Sequence, residues 1–194
     1  MPARLRTLPI PDQSPAQEML TGTCQDGGRA LSRSELEIAR YSSGGGYMQF
    51  QKFGERYIVR LESDEPVVDT LQAFLKAEGV ESANISAIGA VKWVQLGYWN
   101  ASTRAYEYRE VEEQLEVLSL SGNCSKKEGE PFLHLHVILG RRDFSLLGGH
   151  LKEARVHPTL EVWLRTETTP AHRSQDEGTG LYLLDLPGRV ASSE

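Results

Sequence analysis

The chain has 194 residues, a mass of 21.6 kDa, 39% hydrophobic and 25% charged side chains, which suits one globular domain with a short extension. Its formal net charge is −6, and residues 1–47 hold five basic and five acidic groups, so the whole deficit lies downstream, at 16 basic against 22 acidic. That balance excludes a broad positive field for non-specific nucleic-acid binding, and no apolar run approaches the roughly 18 residues of a membrane span.

The first ten residues carry Arg4 and Arg6 without an apolar stretch behind them, so no secretory leader is expected. Cys24 and Cys124 lie far apart, and neither belongs to a CxxC or CxH pair. They supply neither a disulfide framework nor a cysteine zinc site, and a reducing cytoplasm is the expected compartment.

In chain order, Pro2, Pro9, Pro11 and Pro15, then Thr21–Gly28, give turn and coil chemistry without apolar periodicity. Leu31–Tyr41 reads as a short helix, cut off by Ser42–Gly46 as by a flexible linker. Residues 1–47 are thus expected to be a flexible or disordered extension, lying upstream of the natural start if translation begins at Met48. Residues 48–188 are expected to form the domain and 189–194 a tail.

From Gln49 the pattern tightens. Tyr57–Leu61 alternates as a strand. Ser63-Asp64-Glu65-Pro66 offers a capping side chain and a first-turn proline, and Val68, Leu71, Phe74 and Leu75 recur at helical spacing until Gly79. Short β-type runs follow at Ser82–Ile88, Lys92–Tyr98, Arg104–Val111, Leu115–Leu120, Phe132–Leu139, Ser145–Val156, Leu160–Thr166 and Leu181–Leu186. One amphipathic helix among many short strands predicts an α+β fold with an antiparallel-rich sheet covered on one face.

The chemistry gathers on histidines. In the strand FLHLHVIL, His134 and His136 are two residues apart and share a face, while Leu133, Leu135 and Val137 face the core. Arg141–Phe144 is turn-like. Folding the chain back around Asp143 sets His150 opposite His136, on the same face. A one-residue slip would turn His150 away, and Gly148-Gly149 offers a place for a bulge or for close backbone approach beside the site. Three neutral imidazoles on one face are the ligand set of an open zinc site.

Read singly, each strand histidine is a hydrogen-bonded surface residue; the spacing and the third ring raise the metal reading above that. His157 and His172 read as exposed. Glu161, in Thr159–Val162, is the carboxylate expected to serve as an extra ligand, as a hydrogen-bond partner behind a ligating ring, or as a base. Nucleotide-binding glycine motifs and nucleophile motifs are absent from the sequence.

Several motifs together resemble the plants-and-prokaryotes-conserved (PPC) domain family over roughly Phe50–Leu186. They are Gly54-Glu55-Arg56-Tyr57, Ile88-Gly89-Ala90, Leu118–Asn123, Gly129–His136, Gly148–Leu151 and Thr159–Val162, in that order. The resemblance implies a compact α+β homotrimer of the stand-alone prokaryotic type, in which His134, His136 and His150 can hold zinc. It also carries a DNA-binding label. This chain departs there, since it has no Arg-Gly-Arg-Pro core for minor-groove reading and is acidic overall.

The expected function is therefore a metal-binding homotrimeric module with a regulatory role. DNA contact rests on resemblance alone, and no membrane partner is expected. A zinc-dependent enzyme acting on a small molecule is the alternative.

Overall fold

The structure, a computed structural model, describes residues 39–41 and 48–188, all within one unit of the chain, Leu31–Glu194. The remainder of the 1–47 segment and the 189–194 tail lie outside the described residues. Ten strands and one helix follow in order: β1 Ala39–Tyr41, β2 Met48–Phe53, β3 Arg56–Glu62, α1 Val67–Ala77, β4 Ala83–Asn100, β5 Ala105–Val111, β6 Leu115–Lys127, β7 Glu130–Gly140, β8 Leu146–Thr166, β9 His172–Gln175 and β10 Tyr182–Asp185. The helix expected over Leu31–Tyr41 is corrected at its end, where Ala39–Tyr41 pairs with β2 as a strand. Its earlier residues lie outside the description.

The strands run β1-β2-β3-β8-β4-β6-β9-β10, with β5 on β4 and β7 joining β6 to β8. Because β4 pairs with β6, β6 with β7, β7 with β8 and β8 with β4, these four close into a ring. Closure removes sheet edges that would otherwise be open to pairing. All pairings are antiparallel except β6 with β9, so the sheet is mixed.

Two strands are longer than the sequence reading allows. The runs at Ser82–Ile88 and Lys92–Tyr98 merge into β4, and those at Ser145–Val156 and Leu160–Thr166 merge into β8. Both are bent by register shifts, at Gly89/Val91, Val91/Trp93 and Gln95/Leu96, and this lets each serve two neighbourhoods. The first part of β8 pairs with β7, and the last part with β3.

Alternation fills the ring. Leu133, Leu135, Val137 and Leu139 of β7 point inward, as do Leu151, Ala154, Val156, Leu160, Val162 and Leu164 of β8. Helix α1 adds Val67, Leu71, Phe74 and Leu75, and the Phe74 ring meets Phe50 at 4.9 Å and Tyr57 at 5.4 Å edge-on. Gly79, at φ 65°, ends the helix in a Schellman arrangement: its N–H donates to Lys76 O and that of Val80 to Leu75 O.

The helix start differs from expectation. Pro66 occupies the N-cap position without a side-chain cap. Instead the Glu153 carboxylate, reaching from β8, accepts from Val68 N at 2.8 Å and Asp69 N at 3.1 Å. Burial pushes its pKa up, and those N–H bonds oppose the shift. No helix among the described residues is long and apolar enough to cross a membrane.

Candidate metal centre

The inward leucines of β7 leave His134 and His136 on the outer face, where Asn123 and Ser121 of β6 lie opposite them. On the other side, His136 pairs directly with His150 of β8. The register runs unbroken from His136–His150 to Gly140–Leu146. Gly148 and Gly149 therefore lie inside β8 and form no glycine turn; the turn is Arg141–Ser145, closed by Arg141 N donating to Ser145 O at 2.9 Å. Their lack of side chains serves close approach. A Cβ on Gly148 would stand 2.5 Å from Val137 O, and one on Gly149 3.0 Å from Gly97 O.

The three rings form a near-equilateral triangle, with centroids 5.2, 5.3 and 5.3 Å apart. One ring nitrogen from each lies within 4.8 Å of the other two. His134 Nε2 and His136 Nε2 are 3.3 Å apart. Two nitrogens bound tetrahedrally to zinc at about 2.0–2.1 Å would be separated by about 3.3–3.4 Å, so this edge already has the dimension an ion needs. His150 Nδ1 is buried without a hydrogen-bond partner among the described residues. Such an orphan marks a place where a further group belongs.

Burial favours the uncharged form of two of the rings. Burial pushes His150 down to about 4, helped by His134, His136 and Lys152. Burial also lowers His134, with Arg173 and then His136 adding to it. Both are neutral near pH 7, as nitrogen ligands must be.

The surrounding shell is built from β9 and β5. Arg173 donates through Nε to Ser125 Oγ at 2.7 Å, through Nη1 to Tyr182 O at 2.8 Å and through Nη2 to Asn123 Oδ1 at 3.0 Å. The same Nη2 stands 3.3 Å from His134 Nδ1. On the far side, Gly97 lies opposite His150, and the Tyr106 ring fills the space a side chain there would occupy, 5.0 Å from the His150 ring. Sequence reading missed Arg173 because HRSQ is short and polar. The one signal was Asp176–Gly180, a turn in which Asp176 Oδ2 accepts from Thr179 N, joining two four-residue strands.

Glu161 does not join the site. It is exposed, pairs with Arg60 and Ile88, and lies eleven residues from His150 along the bent β8, outside the group formed by the three histidines. Among the described residues the metal-capable group holds no carboxylate. His157 and His172 are exposed, and His157 Nδ1 meets Ser63 Oγ at 3.2 Å. Cys124 is buried and its thiol is pushed up to about 11, so it offers neither thiolate nor ligand. The arrangement supplies three imidazole nitrogens within reach of one ion.

A search of the curated proteins finds no match. Several solved structures are similar, three of them as follows. A metal-containing protein from Archaeoglobus fulgidus shares 35% identity over 78% of this chain and 98% of its own, with a TM-score of 0.64. A plant- and prokaryote-conserved (PPC) protein from Pyrococcus horikoshii shares 30% identity over 77% and 100%, with a TM-score of 0.65. A protein from Bacteroides thetaiotaomicron, provisionally labelled DNA-binding, shares 33% identity over 71% and 96%, with a TM-score of 0.70. The sequence profile of the Plants and Prokaryotes Conserved (PCC) domain matches residues 48–168, and the chain belongs to that family.

Proposed function

We propose that the chain is a zinc-holding homotrimeric module with a regulatory role in the cytoplasm, its ion bound by His134, His136 and His150. The observation that carries the metal reading is the 3.3 Å separation of two Nε2 atoms beside a third, half-buried ring with an unpartnered nitrogen. Three nitrogen ligands favour zinc among the common ions. The relative from Archaeoglobus fulgidus, described as metal-containing, supports the same reading. With zinc bound, the site supplies a Lewis-acidic centre.

Self-association is supported by the outer face beside the histidines. Ile88, Leu118, Ile138 and Leu146 are each 50–63% exposed, and Leu118 packs against the Gly140 position opposite Leu146. An apolar patch of that kind on a small domain favours burial against another copy. Direct DNA contact is the second reading, favoured by the label on the Bacteroides relative and opposed by the −6 charge. For the enzyme alternative, Glu161 lies outside the group formed by the three histidines.

The test is elemental analysis of purified protein together with its mass by light scattering. About one zinc per chain in a particle of three chains supports the proposal. A metal-free monomer, or equal zinc in wild type, His134→Ala and His150→Ala, contradicts it.

A further inference from the structure

A second recessed site lies on the β3–β8–β4 part of the sheet. It is a cavity of about 550 Å³ lined by Phe53, Arg56, Ile58, Asn84, Trp163 and Arg165 among others. The register explains it. Phe53 faces Arg56, Arg56 faces Arg165, and Arg165 faces Asn84; one step along, Ile58 faces Trp163. The alternate residues Tyr57, Val59, Val162 and Leu164 are buried, so this set projects outward.

Two guanidinium groups are thus placed directly across a ladder, where like charges oppose each other at a cost. Arg60, Lys76, Lys92, Lys126 and Arg141 each form an ion pair with a carboxylate. Arg56 and Arg165 have neither an ion pair nor a side-chain hydrogen bond with any described residue, in a chain whose net charge is −6. A bound anion would remove the repulsion, and two planar forks suit its oxygens. Beside them Trp163 is 41% exposed and Phe53 half-buried, giving apolar walls for a flat ring. The volume falls within the range of small-molecule sites.

We infer that this cavity binds a small molecule that joins a planar ring to an anionic group, with nucleoside monophosphates as the fitting class. Arg56 and Arg165 take the phosphate, and Trp163 stacks on the ring. None of these residues belongs to the metal centre, so the inference stands or falls without it.

The experiment is a titration of the full chain with adenosine monophosphate at about 150 mM salt, read by calorimetry and by tryptophan emission. Wild type is expected to saturate with a dissociation constant below about 1 mM. Arg56→Ala and Arg165→Ala should each weaken binding about tenfold or more, with unchanged circular dichroism because both positions are exposed. Trp163→Phe should remove most of the emission change. Four results overturn the inference: no saturation; equal binding by wild type and the double arginine variant; inorganic phosphate binding as tightly as the nucleotide; or a single-stranded oligonucleotide binding far more tightly than either. A Trp163 shielded from acrylamide together with no nucleotide binding would hand the cavity to a second copy of the chain.

Discussion

His136 and His150 face each other directly across the β7–β8 ladder, with ring centroids 5.3 Å apart. Both project outward, so removing either ring leaves the inward packing of Leu135 and Leu151 in place. His136→Ala and His150→Ala should therefore fold normally and lose metal affinity by about a hundredfold or more. Competition with a chromophoric chelator measures this. Affinity within threefold of wild type would remove these rings from the site.

Stability of the metal-free protein should depend on pH through His150. Its folded pKa is lowered to about 4, below the ordinary 6.5, so between these values the unfolded chain binds the proton more tightly. Unfolding free energy should then be complete above about pH 6.5 and fall as pH drops toward 4. Urea denaturation across this window, comparing wild type with His150→Gln, should show a flatter dependence in the variant. Identical slopes would contradict the assigned burial.

Arg173 should weaken metal binding while it stabilises the fold. Donation to His134 Nδ1 leaves that ring's proton on Nε2, where an ion must bind, and the guanidinium charge also repels a dication. Arg173→Gln offers an acceptor to an Nδ1–H, so metal affinity should rise by about tenfold. The β9–β10 hairpin should loosen in the same variant, by about 1–3 kcal/mol for the lost hydrogen bonds. Hydrogen exchange at Tyr182–Asp185 reports the second effect separately from the first.

The carboxylate of Glu153 substitutes for a local helix cap. Glu153→Ala should lower stability by about 1–2 kcal/mol, read as a shift of the urea midpoint without a change in slope. Ser63→Ala should leave the helix start unchanged, because Ser63 instead meets His157 Nδ1 and Pro158 O.

Leu118→Asp and Ile138→Asp place charge on the apolar outer face. If copies associate there, sedimentation should show a shift to monomer with the fold retained. An unchanged particle mass would move the interface elsewhere.

The centre of the site was legible because His134 and His136 are two residues apart within a strand and because Asp143 lies seven residues from each of His136 and His150. The two-residue spacing sets the shared face, and equal arms about the turn favour the register that the structure has. The bends were not legible. His157-Pro158 interrupts the apolar pattern and lacks a donor, so β8 reads as two strands; in the fold that dipeptide sits between Val156 and Thr159, where the ladder partners shift. Glu161 looked close to the site for the same reason: without the length of β8, nothing in the sequence separates it from His150. Arg173 was hidden because its importance comes from a parallel pairing of β9 with β6 only two residues long, at Lys126–His172 and Lys127–Arg173.

Zinc K-edge X-ray absorption on the purified, unsupplemented protein tests the metal assignment most directly. Three imidazole nitrogens and one further oxygen or nitrogen ligand at about 2.0–2.1 Å are predicted, with the imidazole signal reduced in His150→Ala. A sulfur shell at about 2.3 Å, or zinc with water as its main ligand, would contradict it.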